Sequence, residues 1–226
     1  MPDDQARPPR REFLGQLGVL AVAASLPAGV AQAEPSHGAP ASSAWDMSWV
    51  DRVSAAPYKA VIDVTKIDND PLYTALDIMD RFHEVYDSPD SQTRVVVVMR
   101  HFAAAMGLND AAWDRYAIGE ERTVTDPATK APARRNPFLR AGANVKESWD
   151  VNGKIEPLVA RGVTLLVCNR ATMGLASTLA KKSGKPLEEV QNDLKGSLVP
   201  GAYMMPNGIF GLIRAQNAGC AFYREA

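Results

Sequence analysis

Cys168 has the residue type and the position best suited to chemistry in this sequence. It follows an apolar run at 163–167 that predicts a buried strand, and a helical pattern begins near Ala171. Ligands of open α/β sheets bind at the carboxyl ends of strands, and a helix N-terminus stabilises the nucleophilic thiolate. Arg170 adds positive charge nearby. These features predict a catalytic thiol; the alternative is an inert cysteine, because free cysteine is among the most buried residue types.

A second group of candidate residues follows the apolar run R-V-V-V-V-M at 94–99. Arg100 and His101 should leave this strand at the same sheet edge as Cys168, so we expect His101 and Cys168 to line one cleft. A histidine there can act as an acid or base, or can bind a metal or haem. With Met173 it forms a soft ligand set, so a haem or soft-metal cofactor is a candidate. The alternative is a histidine that only hydrogen-bonds a neighbouring loop, and no C-x-x-C-H or H-x-x-x-H spacing is present.

Strand and helix patterns alternate along the chain in a way that positions these residues. Strands are predicted from their apolar or β-branched runs at 59–67, 94–99, 163–167, 198–204 and 220–223. The intervening segments have helical spacing, apart from a polar excursion at 119–136 that suits a lid or an oligomer arm. This alternation predicts an α/β fold, a three-layer α/β/α sandwich on a mainly parallel five-stranded sheet.

Three segments of the C-terminal half together resemble the DsrE-like family. They are G-V-T-L-L-V-C-N-R-A at 162–171, L-V-P-G-A-Y-M-M-P-N-G-I at 198–209 and Q-N-A-G-C-A-F at 216–222. The resemblance implies a Rossmann-like domain over 58–226, assembly as a trimer or hexamer, and sulfur carried as a persulfide on Cys168. A small sulfur species or a thiol-carrying protein would then be its partner. The sequence departs from the family pattern at Cys220, where an aromatic residue is usual.

The N-terminal segment resembles a twin-arginine signal peptide. R-R-E-F-L begins at Arg10, an apolar stretch occupies 17–30, and A-Q-A ends at Ala33. The apolar stretch is shorter than a membrane-spanning helix needs, and the closing small residues suit a signal peptidase. We therefore expect residues 1–33 to be removed and the protein to be periplasmic or otherwise exported, without stable membrane insertion after cleavage. Residues 34–57 are expected to form a flexible mature N-terminus, with the folded domain at 58–226.

Charge and cysteine content argue against nucleic-acid binding and against a framework of several disulfides. The formal net charge is −1, and basic residues are scattered rather than gathered in the stripe that nucleic-acid binding requires. The two cysteines permit one disulfide at most.

Three hypotheses remain open from the sequence. The first is a thiol-based sulfur carrier or transferase that uses Cys168. The second is a non-catalytic protein that binds haem, a metal or a small ligand through His101 and its neighbours. The third is an oligomeric structural module with a vestigial site.

Overall fold

A parallel β-sheet forms the centre of the computed structural model, which describes residues 45–224. The strands of that region are β1 (Tyr58–Val64), β2 (Thr93–Met99), β3 (Thr164–Cys168), β4 (Ala202–Met205) and β5 (Ala221–Arg224). Their order is β4-β3-β2-β1-β5, and every neighbouring pair is parallel. The predicted signal peptide at 1–33 and the first part of the predicted mature N-terminus, 34–44, lie outside this region.

Helices cover both faces of the sheet. In chain order they are α1 (Trp49–Ala55), α2 (Asp70–Tyr86), α3 (Asp110–Arg115), α4 (Ile118–Glu121), α5 (Ser148–Asn152), α6 (Ile155–Ala160), α7 (Asn169–Ser183), α8 (Leu187–Lys195) and α9 (Gly208–Asn217). Short 3₁₀ segments occupy Asp90–Gln92 and His101–Gly107. The fold is therefore the predicted three-layer α/β/α sandwich, and its sheet is parallel throughout.

Alternate residues of each central strand enter two separate cores. Val97 and Leu165 face the larger core, which α2, α6, α7 and α8 complete. Val96, Val98 and Leu166 face the smaller core, which α1 and α9 cover. The unbroken apolar runs in the sequence therefore reflect burial on both faces of a parallel sheet.

The fourth strand begins later than the sequence pattern predicts. A β-turn precedes it, in which the Ala202 amide donates to the Val199 carbonyl at 3.2 Å. Pro200 and Gly201 occupy the turn's central positions, and Gly201 has the positive φ, +81°, that the third position of a type II turn requires. The predicted strand at 198–204 therefore contains a turn followed by β4.

Residues 49–55 correct the expected boundary of the folded domain at Tyr58. They form α1, in which Trp49, Val50 and Val53 are buried in the smaller core. The helix escaped prediction because seven residues are too few to show a clear helical period. The folded domain therefore begins before Tyr58.

The polar excursion at 119–136 is anchored to the larger core at its end. The buried Asn136 donates from Nδ2 to the carbonyls of Met106 and Leu108, both at 2.7 Å. Within the segment, Thr125 and Pro132 form an antiparallel bridge. Between residues 45 and 224, no helix has the length and apolar composition needed to cross a membrane.

We expect Trp49→Ala to lower the free energy of unfolding by about 3–5 kcal/mol, because Trp49 is fully buried in the smaller core. Urea denaturation followed by circular dichroism measures this loss. The matched control is Trp149→Ala, since Trp149 is 43% exposed and stacks on Tyr73 at 5.5 Å. Its loss should be only about 1 kcal/mol. Equal losses in the two variants would contradict the packing of α1.

Candidate functional site

Polar and reactive side chains from three neighbouring strands meet at the carboxyl edge of the sheet. In the strand register, Val64 pairs with Met99, and Met99 pairs with Val167. Asp63 near the end of β1, Arg100 after β2 and Cys168 at the end of β3 are therefore close neighbours. The expectation that His101 and Cys168 follow strands at one edge is confirmed.

Asp63 and Arg100 form a bidentate ion pair within this edge. Arg100 donates from Nε to Oδ1 at 2.6 Å and from Nη2 to Oδ2 at 2.7 Å. Asp63 is only 3% exposed, and an unpaired buried charge is costly, so the geometry of the pair is strongly constrained. The hydrogen bond to Asp63 raises the pKa of Arg100 above its ordinary value, and negative charge at Cys168 adds to this effect. Arg100 is therefore a fixed cation beside the cysteine.

His101 is exposed and has a left-handed backbone conformation, with φ at +52°. Its Nε2 lies 2.6 Å from Nη1 of Arg100. A guanidinium group can only donate, so Nε2 accepts this hydrogen bond. Arg100 therefore occupies one of the two histidine nitrogens that can bind a metal or haem.

Cys168 is the N-cap residue of α7. Its Sγ accepts a hydrogen bond from the Ala171 amide at 3.4 Å, and its carbonyl accepts one from Thr172 Oγ1 at 3.0 Å. The residue is 6% exposed. The sulfur therefore lies at the N-terminus of α7, in contact with one of its backbone amides. The predicted position of Cys168, at a strand end and a helix start, is confirmed.

The start of α9 packs directly on the Arg100 side chain. Asn207 caps the helix by accepting from the Phe210 amide at 2.9 Å. Gly208 follows, and a Cβ added there would lie 2.6 Å from the Arg100 Cβ and 2.8 Å from its Cδ. The glycine of this P-N-G sequence therefore lets α9 pack closely against Arg100, because a side chain at Gly208 would displace the arginine that pairs with Asp63.

Cys220 belongs to the other end of the molecule. It precedes β5, so it lies at the amino edge of the parallel sheet, and both cysteines are free. Burial raises the pKa of its thiol to about 11, while the nearby Lys59 opposes this shift. Cys220 is therefore a buried neutral thiol.

A cleft of about 560 Å³ opens one strand further along, beside β4. Its lining comes from the segment before α1, the start of α7, the end of α8, the turn before β4 and β4 itself: Trp45, Asp46, Asn169, Lys195, Gly201, Ala202, Tyr203 and Met204. Oδ1 of Asn169 is buried and has no hydrogen-bond partner in the region 45–224. Neither His101 nor Cys168 lines this cleft, so it is not the shared cleft that the sequence predicts for these two residues. Asn169, which does line it, directly follows Cys168 in the chain.

The soft-ligand set proposed from sequence is only partly assembled. Arg100 and His101 are in contact, whereas Met173 is half-buried on α7 and has no hydrogen bond or ion pair to either in the part of the chain that the structure describes. In the same part, no group of three or more His, Cys, Asp or Glu side chains is placed to hold a metal ion.

Sequence reasoning missed Asp63, Gly208 and Asn169. For Asp63 a signal was present, since it is the one charged residue within the apolar strand run V-I-D-V. The packing role of Gly208 depends on tertiary contacts, which the sequence does not display. The same is true of the Asn169 oxygen, which is buried without a partner within the described region.

Comparisons with known proteins leave the function to be argued from this geometry. No family model and no curated protein matches the chain. Among solved structures, a protein of unknown function from Methanobacterium thermoautotrophicum aligns with 74% of this chain and 99% of its own length. The two are 15% identical with a TM-score of 0.36, a likeness too distant to support any inference.

We expect Gly208→Ala to destabilise the protein by about 1–3 kcal/mol, because the new methyl group overpacks the stem of Arg100. The matched control is Gly174→Ala within α7, where an added Cβ meets no atom within 4 Å. That variant should be neutral or stabilised by up to about 1 kcal/mol, since alanine favours helix more than glycine does. Urea unfolding of both proteins measures the difference, and a neutral Gly208→Ala would contradict the packing described.

The raised pKa of Cys220 predicts a pH dependence of stability. Between the ordinary value of 9.0 and about 11, the unfolded chain has lost the thiol proton that the folded chain keeps. The free energy of unfolding should therefore fall as pH rises through this window, by at most about 1.4 kcal/mol per pH unit from this group. Cys220→Ala should show a shallower decline in urea titrations from pH 8.5 to 11. Parallel declines in the two proteins would refute this assignment.

Proposed function

We propose that this protein is an exported, thiol-based sulfur carrier or transferase of the DsrE-like type, in which Cys168 accepts a sulfane sulfur. The observation that carries the proposal is the position of Cys168 Sγ, which caps α7 beside the cation of Arg100. A helix N-terminus and an adjacent guanidinium are the surroundings that activate cysteine thiolates in proteins. The sequence motifs that resemble the DsrE-like family support the same chemistry.

The proposed reaction is an exchange between a thiolate and a persulfide. The Cys168 thiolate attacks the outer sulfur of a donor R–S–SH, a new S–S bond forms, and the donor's S–S bond breaks. The products are the Cys168 persulfide and the donor thiolate RS⁻, which takes a proton from solvent or from a protein group. The sulfane sulfur passes between two thiols, so the step needs no external oxidant or reductant.

The other three residues at the carboxyl edge of the sheet each have a proposed role. Arg100 stabilises the negative charge that the sulfur carries before and after transfer, and Asp63 holds Arg100 in position. His101 is exposed and accepts a hydrogen bond from Arg100, so its proposed role is to help orient the guanidinium, and the leaving thiolate takes its proton from solvent.

The small exposed fraction of Cys168 favours a small donor. At 6% exposure the sulfur presents only a narrow surface, so the donor must extend an unbranched terminal sulfur towards it. A low-molecular-weight persulfide, or a persulfide on a flexible segment of a partner protein, meets this requirement.

The alternative of a haem or metal protein centred on His101 has less support, because Arg100 occupies one of its two ring nitrogens and no cluster of metal-ligating side chains surrounds it between residues 45 and 224. Export through the twin-arginine route and assembly as a trimer or hexamer remain part of the proposal. They depend on the R-R-E-F-L and A-Q-A sequences and on the family resemblance respectively.

Incubation with glutathione persulfide should add about 32 Da to the protein, one sulfur per chain, in intact mass spectra. Cys168→Ser should gain nothing, because the accepting thiol is gone. Cys220→Ser is the matched control and should load like the wild type, since Cys220 lies at the opposite sheet edge with a raised thiol pKa. Loading must disappear after treatment with a reductant such as dithiothreitol.

Two results would overturn the proposal. One is equal loading of Cys168→Ser and wild type, which would place the accepting group elsewhere. The other is a wild-type protein that stays unmodified while a small thiol of ordinary pKa is persulfidated in the same tube.

A further inference from the structure

We propose that the outer edge of β5, with the apolar side chains on both of its flanks, is a contact between two copies of this chain related by a two-fold axis. The contact goes beyond the proposed sulfur chemistry, because it uses none of the side chains of Cys168, Arg100 or Asp63. Two features carry it: an edge strand that is exposed along its whole length, and a large apolar surface beside that strand.

The outer side of β5 is open. Among the described strands β5 pairs with β1 alone, and all four of its residues are exposed. The strand at the opposite edge, β4, is better covered, since Met205 is buried and its other three residues are half-buried. An exposed edge strand presents N–H and C=O groups that can pair with another strand. β5 is therefore the edge at which a second sheet can join.

On the α9 side, β5 continues into an apolar flank. Phe222 pairs in register with Val61, which belongs to the smaller core, so Phe222 lies on the face of the sheet that α9 covers. A Cβ added at Gly211 would meet side chains of β2, β3 and β4, so that side of α9 is turned away from β5. Ile209 and Ile213 are exposed and lie about 160° around the helix from Gly211, on the flank towards β5.

On the α2 side, β5 continues into an aromatic flank. Tyr223 pairs in register with Ile62, which belongs to the larger core, so Tyr223 lies on the face that α2 covers. At the end of α2, Tyr86 stacks on Tyr58 with ring centres 5.3 Å apart. Tyr58 begins β1, the strand that neighbours β5, and the exposed Val85 precedes Tyr86. This end of α2 therefore borders the β5 edge.

The apolar side chains of the two flanks are numerous enough for a stable contact. Each is between 47% and 66% exposed: Val85, Tyr86, Ile209, Ile213, Phe222 and Tyr223. Together they present roughly 600 Å², at the upper limit of the largest apolar patch on a typical monomer. Each partner of a specific complex buries roughly 600–1,000 Å², so these side chains and the β5 backbone supply the area that a dimer needs.

A second copy of the chain fits this surface because a two-fold axis makes the surface complementary to itself. Two antiparallel copies of one edge strand are related by an axis normal to the sheet, so each face of one copy continues into the same face of the other. Phe222 then meets the α9 flank of the second copy, and Tyr223 meets its α2 flank. Such a contact gives a dimer by itself, and it also joins two trimers into a hexamer.

Light scattering of the full chain during gel filtration in a reducing buffer measures the mass of the assembly. We expect wild type to be a dimer or a hexamer. Ile213→Lys and Tyr223→Lys, one on each flank, should each weaken the two-fold contact at least about 10-fold and so halve the mass, because the contact would bury unpaired ammonium groups. Leu187→Lys is the matched control, since Leu187 is 45% exposed at the start of α8, and it should keep the wild-type mass.

Cysteine crosslinking tests the pairing of the strands themselves. Phe222→Cys and Tyr223→Cys are each made in a chain that also carries Cys168→Ser and Cys220→Ser, and are then oxidised. A residue on the two-fold axis faces its own counterpart at a Cα separation of about 4.5–5.5 Å, which a disulfide can span, whereas its neighbour lies beyond about 7 Å from its counterpart. We expect a covalent dimer from one of the two variants, and none from Leu187→Cys in the same background.

Three results would overturn the proposal. A wild type with the mass of a monomer or of a single trimer would mean that another segment of the chain, or a different protein, covers the β5 edge. A wild-type mass in both lysine variants would place the contact between copies elsewhere. A disulfide in neither cysteine variant would exclude pairing through β5. None of these measurements uses a sulfur donor, so their outcome is independent of whether Cys168 carries sulfur.

Discussion

The ion pair between Asp63 and Arg100 is the constraint on which the arrangement of the site depends. A carboxylate placed inside the sheet is costly unless a cation neutralises it, and Arg100 does so through two hydrogen bonds. The same guanidinium contacts His101, and its stem packs against Gly208 at the start of α9. One buried charge thus links β1, the end of β2 and α9, and it holds a cation beside Cys168.

Much of the fold follows from the sequence because its strands are buried on both faces. Continuous apolar runs such as 94–99 mark central parallel strands, and the alternating helices imply the layers that cover them. Two elements were misjudged for local reasons. The run at 198–204 has strand-like residues, but Pro200 and Gly201 turn the chain inside it. The helix containing Trp49 is too short to reveal its period.

The site was predictable only where a residue's role follows from its place in an element. Cys168 follows a strand and precedes a helix, so its capping position is implied by the sequence. The contacts that a side chain makes do not follow from its place in an element. Arg100 pairs with Asp63 because segments far apart in the chain pack together. For the same reason Asn169 Oδ1 is buried without a donor among residues 45–224.

The last strand of the sheet has a consequence for how the chain acquires its structure. Among the described strands, β5 pairs with β1 alone, in a register that places Val61 opposite Phe222. One edge of β1 therefore has no partner strand until β5 has been synthesised. During synthesis on the ribosome, β1 emerges early, and one side of it stays unpaired until almost all of the domain has been made. Such a long loop closure slows folding. The nascent domain therefore completes this sheet only after β5 has been made.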